Sequence, residues 1–214
     1  MSANLNSPEL DGMYPFLSGV ADRRRRARQH IEAGAVTAGF EAVRLTVLRL
    51  LNEALTTELI CVVRYRRHCA MSGGTEAETV RGAFLKYAQE EQGHADRIAE
   101  RIVQLGGEPN LNPLALHAAG DCEDIEAGTL ADMLEEDLIA ERIAIESYRE
   151  IVQYLGTNDP TTRQLLESIL AVEAGHAEEL ASMREQLLRK ERAAGGATSV
   201  RLPVLQLVTG AGRA

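Results

Sequence analysis

Four stretches of the chain set apolar residues three and four positions apart, the spacing of one face of an α-helix. The first reads Leu48, Leu51, Leu55, Glu58, Val62, Tyr65, Cys69, and the second Val80, Phe84, Tyr87, Glu91, His94, Ile98, Ile102, Leu105. The third reads Leu130, Leu134, Leu138, Glu141, Ile145, Tyr148, Val152, Leu155, and the fourth Leu166, Ile169, Glu173, His176, Leu180, Met183, Leu187. Stop and start signals bound them. The first helix is expected from about 41 to 71, before Gly73-Gly74. The second is expected to start at Thr75, where Glu78 three residues on completes a capping box, and to end at Gly106-Gly107. The third should run from near Thr129 to Gly156, and the fourth from Asp159-Pro160, a capping Asp followed by Pro, to about Ala193.

The connections predict how these helices pack. The first and second, and the third and fourth, are joined by a few residues, so each pair is an antiparallel hairpin. The link from second to third is long and contains Pro109, Pro113 and Gly120. Extended, it can travel the roughly 45 Å of a 30-residue helix. The second and third helices then run parallel, which gives an all-α four-helix bundle with one long crossover. Three regions follow: an arm over 1–40 with a short helix at 20–33, the bundle over 41–193, and a tail over 194–214 with an apolar segment.

Each stripe breaks its own rule at its centre. Every helix carries a Glu at a core position, and two add a His one turn on. A buried, unpaired carboxylate is very costly. Four of them in one core require positive charge among them, and two divalent metals supply +4 against −4. Glu and His three apart point from the same helix face.

One such pair is weak evidence, since 24 Glu and 5 His would yield fewer than one by chance. Repetition in register is stronger. Glu58 precedes Glu91 by 33 residues and Glu141 precedes Glu173 by 32, while Tyr65 and Tyr148 each follow a Glu by seven. Glu91-Gln-Gly-His94-Ala-Asp96 answers Glu173-Ala-Gly-His176-Ala-Glu178. The chain is thus an internal repeat, and two hairpins about a pseudo-twofold axis place Glu58, Glu91, His94, Glu141, Glu173 and His176 around one point.

Composition narrows the picture. The net charge is −9, and residues 41–192 carry 28 acids against 16 bases. An acidic body attracts metal cations and opposes duplex DNA, so no nucleic-acid partner is expected. No apolar run approaches the roughly 20 residues of a membrane span, and no signal peptide is evident at the N-terminus. Cys61, Cys69 and Cys122 form no disulfide framework, which points to reduced thiols and a cytoplasmic protein. His30, His68 and His117 lie off the pattern and read as structural or surface residues.

Over about residues 44–188 the chain resembles the bacterioferritin branch of the ferritin-like superfamily. The resemblance rests on Leu51-Asn-Glu-Ala-Leu-Thr-Thr-Glu58 with Tyr65, on Glu91-Gln-Gly-His94-Ala-Asp96 with Leu105-Gly-Gly-Glu-Pro-Asn-Leu111, and on Glu141 with Glu173-Ala-Gly-His176. It implies a ferritin-like fold, a homo-oligomer and a di-iron centre. Glu58 with His94 would hold one iron, Glu141 with His176 the other, and Glu91 and Glu173 would bridge them. The implied activity is that of a ferroxidase, in which dioxygen or peroxide oxidises Fe(II) to Fe(III) for iron storage or detoxification. Tyr65 would lie at the site and donate a hydrogen bond or an electron, and Asp137 would orient a ligand histidine. The family's haem-ligating Met follows the bridging Glu of the second helix; here that position is Gln92, so haem is not expected.

Two rival functions share these residues. A di-iron or di-manganese peroxide-scavenging enzyme of rubrerythrin or manganese-catalase type tolerates the same donors, although no Cys-x-x-Cys pair for a rubredoxin iron occurs. A DNA-protecting mini-ferritin would use the basic run Arg23 to Arg26 with Arg28, but such proteins place metals between subunits. In the tail, Val200, Leu202, Val204, Leu205, Leu207 and Val208 follow a flexible Ala-Ala-Gly-Gly-Ala tether, with Pro203 opposing a helix. The tail is expected to dock on a neighbouring subunit or on a partner.

Overall fold

The computed structural model describes residues 41–73, 77–112 and 128–193, together with Arg25 and Arg28. Four helices account for most of them: α1 over Glu41–Met71, α2 over Glu78–Gln104, α3 over Leu130–Leu155 and α4 over Pro160–Ala193. The expected short helix at 20–33, Cys122, His30, His117 and the tail lie outside the described residues, apart from Arg25 and Arg28.

Local chemistry fixes three of the helix ends. Thr129 caps α3 in a reciprocal box: its hydroxyl accepts from the Asp132 amide at 3.1 Å, and the Asp132 carboxylate accepts from the Thr129 amide at 2.9 Å. Gly156 closes α3 with φ at 48°, a conformation that favours glycine. Asp159 caps α4, accepting from the Thr162 amide at 3.0 Å, and Pro160 opens the helix where its missing amide costs nothing. Thr75, the expected cap at the start of α2, lies outside the described residues. The helix begins at Glu78 with Ala77 at the capping position and no side-chain cap. Ala77 is already in the right-handed helical region (φ −80°, ψ −12°) and has no oxygen with which to cap.

The register of side-chain pairs gives the topology. Arg44 of α1 reaches the Leu105 carbonyl beyond the end of α2, while Tyr65 lies 6.1 Å from the Phe84 ring near its start. Tyr148 of α3 bonds Glu58, and Asp137 bonds His68 further along α1. Both α2 and α3 are therefore antiparallel to α1, and so parallel to each other. Arg101 with Asp159, and Tyr87 with Glu179, set α4 antiparallel to α2. This is the ferritin-like four-helix bundle with its long crossover.

The core has two apolar clusters. One gathers Leu51, Leu55, Ile98, Ile102, Tyr148, Leu155, Leu166 and Ile169 at one end of the bundle. The other gathers Tyr65, Phe84, Tyr87, Met133, Leu134 and Leu180 at the other end. Burying one Leu or Ile side chain stabilises by about 1.5–3 kcal/mol, so these two ends carry the fold. Between them lies a layer of buried carboxylates and imidazoles, which is where function is to be sought.

Candidate metal centre

The layer is built by one Glu from each of four helices. Glu58, Glu91, Glu141 and Glu173 are each 1% exposed, with His94 at 5% and His176 at 3%. Their positions follow from the stripes: each Glu sits where a Leu or Ile would continue the apolar face, and each His lies one turn on along the same face. All six side chains expected from the sequence come together.

Their atoms converge on two points. His94 Nδ1 lies 2.8 Å from Glu173 Oε1, 3.3 Å from Glu58 Oε2 and 3.4 Å from Glu91 Oε2. His176 Nδ1 lies 3.1 Å from Glu91 Oε1, 3.3 Å from Glu173 Oε2 and 3.6 Å from Glu141 Oε1. Two groups of four donors result, Glu58–Glu91–His94–Glu173 and Glu91–Glu141–Glu173–His176, each with ligand atoms within 4.8 Å of one another. Glu91 and Glu173 belong to both.

The hydrogen bonding is incomplete in a telling way. Among the described residues, Glu58 Oε2, Glu91 Oε1, both Glu173 oxygens and the Nδ1 atoms of His94 and His176 are buried without a hydrogen bond of acceptable geometry. These atoms are close but aim at common points instead of at each other. A buried polar atom left so costs about 1–3 kcal/mol, more when charged. Oxygen and imidazole donors with lone pairs converging on two centres are the set that suits iron or manganese. The residues present therefore fit a two-metal site.

Two tyrosines each hold one carboxylate oxygen from across the bundle. Tyr65 of α1 donates to Glu141 Oε1 of α3, and Tyr148 of α3 donates to Glu58 Oε1 of α1. The pair follows the internal repeat, so Tyr148, passed over as a site residue, was marked in the sequence by its seven-residue spacing from Glu141. Outside the ring of six, His176 Nε2 lies 2.9 Å from Glu90 Oε2, and the Tyr87 ring packs 4.4 Å from the His176 ring while its hydroxyl donates to Glu179 at 2.6 Å. A groove of ≈ 340 Å³ between α1 and α3 is lined by Thr57, Ala144, Ser147 and Tyr148 among others.

One assignment is corrected. Asp137 does not orient either of the Glu-x-x-His histidines; its Oδ2 lies 2.9 Å from His68 Nδ1. His68 is fully buried, not at the surface, because it points across α1 toward α3.

The electrostatics describe the metal-free state. Burial pushes the Glu58 carboxyl well above its ordinary range and Glu141 up to about 8. Burial also opposes ionisation of Glu91, but the His176 and His94 rings beside it outweigh burial and hold Glu91 at about 2; Glu173 is lowered by the same two rings. Burial would depress the imidazoles, yet the neighbouring Glu173, Glu58 and Glu91 carboxylates raise His94 to about 11. The neighbouring Glu141, Glu173 and Glu91 carboxylates raise His176 to about 12. The raised imidazoles thus face the two lowered carboxylates, Glu91 and Glu173, while burial favours the neutral forms of Glu58 and Glu141.

The family model described as the ferritin-like domain matches residues 48–190. A bacterioferritin of Mycobacterium avium is 35% identical over 144 residues, 65% of this chain and 84% of that protein. A bacterioferritin of Rhodobacter capsulatus is 31% identical over 133 residues, 62% of this chain and 78% of that one. This chain belongs to the bacterioferritin-like branch of the ferritin-like superfamily. Among solved structures, the bacterioferritin-related protein of Bacteroides fragilis, described as a dodecameric thioferritin, superposes with a TM-score of 0.65 at 28% identity, covering 70% of this chain and 90% of that one. The Rhodobacter capsulatus bacterioferritin, described with a metal-free dinuclear site and haem iron, superposes with a TM-score of 0.60 at 28% identity, covering 75% and 96%. Within this bacterioferritin-like chain, Gln92 is exposed and donates to Asp96 at 2.9 Å. No helix among the described residues is long and apolar enough to cross a membrane.

Proposed function

We propose that the chain is a ferroxidase that holds two iron ions per subunit and serves iron storage or detoxification. The observation that carries this reading is the pair of overlapping donor groups sharing Glu91 and Glu173. Glu58 and His94 would hold one ion and Glu141 and His176 the other, with Glu91 and Glu173 shared between the two donor groups. When bound, the metal pair supplies two electrons to dioxygen or peroxide as Fe(II) becomes Fe(III).

The chain's own residues do the rest. Four carboxylates favour the higher charge of the ferric state. Tyr65 and Tyr148 each fix one oxygen of Glu141 and Glu58, which orients these two carboxylates in the layer. The apolar clusters on either side limit water and strengthen charge interactions within the layer. The membership of relatives named bacterioferritin supports the storage role, and the dodecamer described for the Bacteroides fragilis protein supports a homo-oligomer. Haem is not part of this reading, since Gln92 offers no thioether.

The test is Fe(II) oxidation followed at the ferric absorbance. Wild type is expected to turn over, and Glu91→Ala and Glu173→Ala to lose nearly all activity while remaining helical. Full rates in both variants would overturn the assignment. Parallel assays with Mn(II) and peroxide distinguish ferroxidase from peroxide-scavenging chemistry.

A further inference from the structure

The internal repeat supplies a control within the molecule. Residues of α4 correspond to those of α2 at an offset of 82, which maps Glu91 onto Glu173 and His94 onto His176. The six-residue layer obeys that symmetry, and its flanks do not. Just before Glu91 stands Glu90, whereas the residue just before Glu173 is Val172. One turn earlier, Tyr87 of α2 corresponds to Ile169 of α4, and both are fully buried. Two positions that are polar or aromatic in one half of the repeat are therefore aliphatic in the other.

Both polar positions act on one ring. His176 Nδ1 belongs to the layer, 3.1 Å from Glu91 Oε1, 3.3 Å from Glu173 Oε2 and 3.6 Å from Glu141 Oε1. On the far side of the ring, Nε2 is hydrogen-bonded to Glu90 Oε2 at 2.9 Å. The His176 side chain is 3% exposed and that of Glu90 37%, so this bond runs from the buried layer to the surface. Tyr87 packs against the same ring at 4.4 Å, and its hydroxyl is tied to Glu179. Lys86 Nζ stands farther off, 3.8 Å from Glu90 Oε2 and 3.7 Å from Glu179 Oε2. A carboxylate that accepts from Nε2–H leaves Nδ1 with the lone pair a metal needs, and it keeps the ring from turning. Val172, at the corresponding place in α4, offers no acceptor.

We propose that Glu90 is a positioning residue that locks His176 through Nε2 and makes the two halves of the metal centre unequal, the Glu141–His176 half being the tighter. The proposal rests on reading the six-residue layer as a two-metal site. Glu90 belongs to neither donor group and acts only through the ring. An imidazole already held in one orientation and one tautomer loses less freedom when it binds than an unheld one. The same hydrogen bond makes Nδ1 a stronger donor, and loss of such a partner weakens metal binding roughly 10–100-fold.

The test titrates the full-length, metal-free protein with Co(II), whose visible bands report binding without redox chemistry. Wild type is expected to fill in two steps separated by roughly tenfold or more in affinity. Glu90→Leu, at a part-exposed position, should stay folded by circular dichroism and weaken the first step roughly 10–100-fold. Glu90→Gln, whose amide oxygen still accepts from Nε2–H, should keep most of the wild-type first step. Proton NMR of the Co(II)-loaded protein gives a second reading: a paramagnetically shifted imidazole N–H should exchange slowly with solvent in wild type and Glu90→Gln, and exchange away in Glu90→Leu. Two equal steps in wild type, an unchanged first step in folded Glu90→Leu, or equal weakening in the Gln and Leu variants would overturn the positioning role and leave the two-metal reading standing. A wild-type chain that takes up no Co(II) would instead overturn the metal-centre reading, and the role of Glu90 with it.

Discussion

Loading the metal-free centre with two divalent ions should expel about four protons per chain near neutral pH. The count comes from the six side chains. His94, raised to about 11, and His176, raised to about 12, each hold an extra proton at pH 7. Glu58, pushed well up by burial, and Glu141, raised to about 8, each hold one more. Glu91, at about 2, and the lowered Glu173 hold none. Two imidazolium protons and two carboxylic acid protons make four, and metal-bound ligands retain none of them. Both states are then internally neutral: two imidazolium ions against two carboxylates when empty, and two divalent metals against four carboxylates when filled. Titrating metal-free protein anaerobically with Fe(II) or with Co(II) in weak buffer, with back-titration to constant pH, counts the protons directly. The same linkage requires the logarithm of the overall two-metal affinity to rise by about four per pH unit near pH 7. A release of one proton or fewer per chain, or an affinity flat with pH, would refute the proton-filled picture of the empty site.

Other outcomes follow from single features. The metal-free protein should be most stable near pH 5, as measured by denaturant unfolding across pH. Its depressed Glu91 loses its contribution as pH falls toward about 2, and the lowered Glu173 loses its own on the same acid side. Above pH 5, raised Glu58 and Glu141 disfavour folding as they would ionise, and the raised imidazoles lose their contribution through about 11–12. Bound metal should flatten the alkaline side. Tyr65→Phe and Tyr148→Phe should each lower stability by about 1–3 kcal/mol, since each leaves a buried carboxyl oxygen unpaired; an unchanged unfolding midpoint in both would deny the two rungs. Protein purified from a haem-sufficient host should show no Soret band, and a strong one would contradict the reading of Gln92. Truncation after Ala194 should shrink or loosen the oligomer while leaving the bundle folded, as read by sedimentation and circular dichroism; unchanged assembly would count against tail docking on a neighbouring subunit.

Much of this was legible in the sequence because the relevant physics is periodic. The stripe of α2 from Val80 to Leu105 is buried at every expected position, and Glu91 and His94 stand in it as their spacing required. Thr129, Gly156 and Asp159 ended or began helices through short-range hydrogen bonding and backbone preference, which need no tertiary information. What stayed hidden depends on contacts between helices. Nothing local tells that Asp137 will meet His68 and not a Glu-x-x-His histidine, since the choice depends on which turn of α1 faces α3. The expected cap of α2 at Thr75 lies outside the described residues. Tyr148 was within reach: the repeat that marked Tyr65 marked it equally, and only its partner, Glu58 on a different helix, required the structure.

The central claim is most directly tested by an anomalous difference map at the iron edge from crystals loaded anaerobically with Fe(II). The account predicts two peaks per chain, one beside Glu58 and His94 and one beside Glu141 and His176, with Glu91 and Glu173 reaching both. A single peak, peaks confined to the surface carboxylates, or none within the bundle would contradict it.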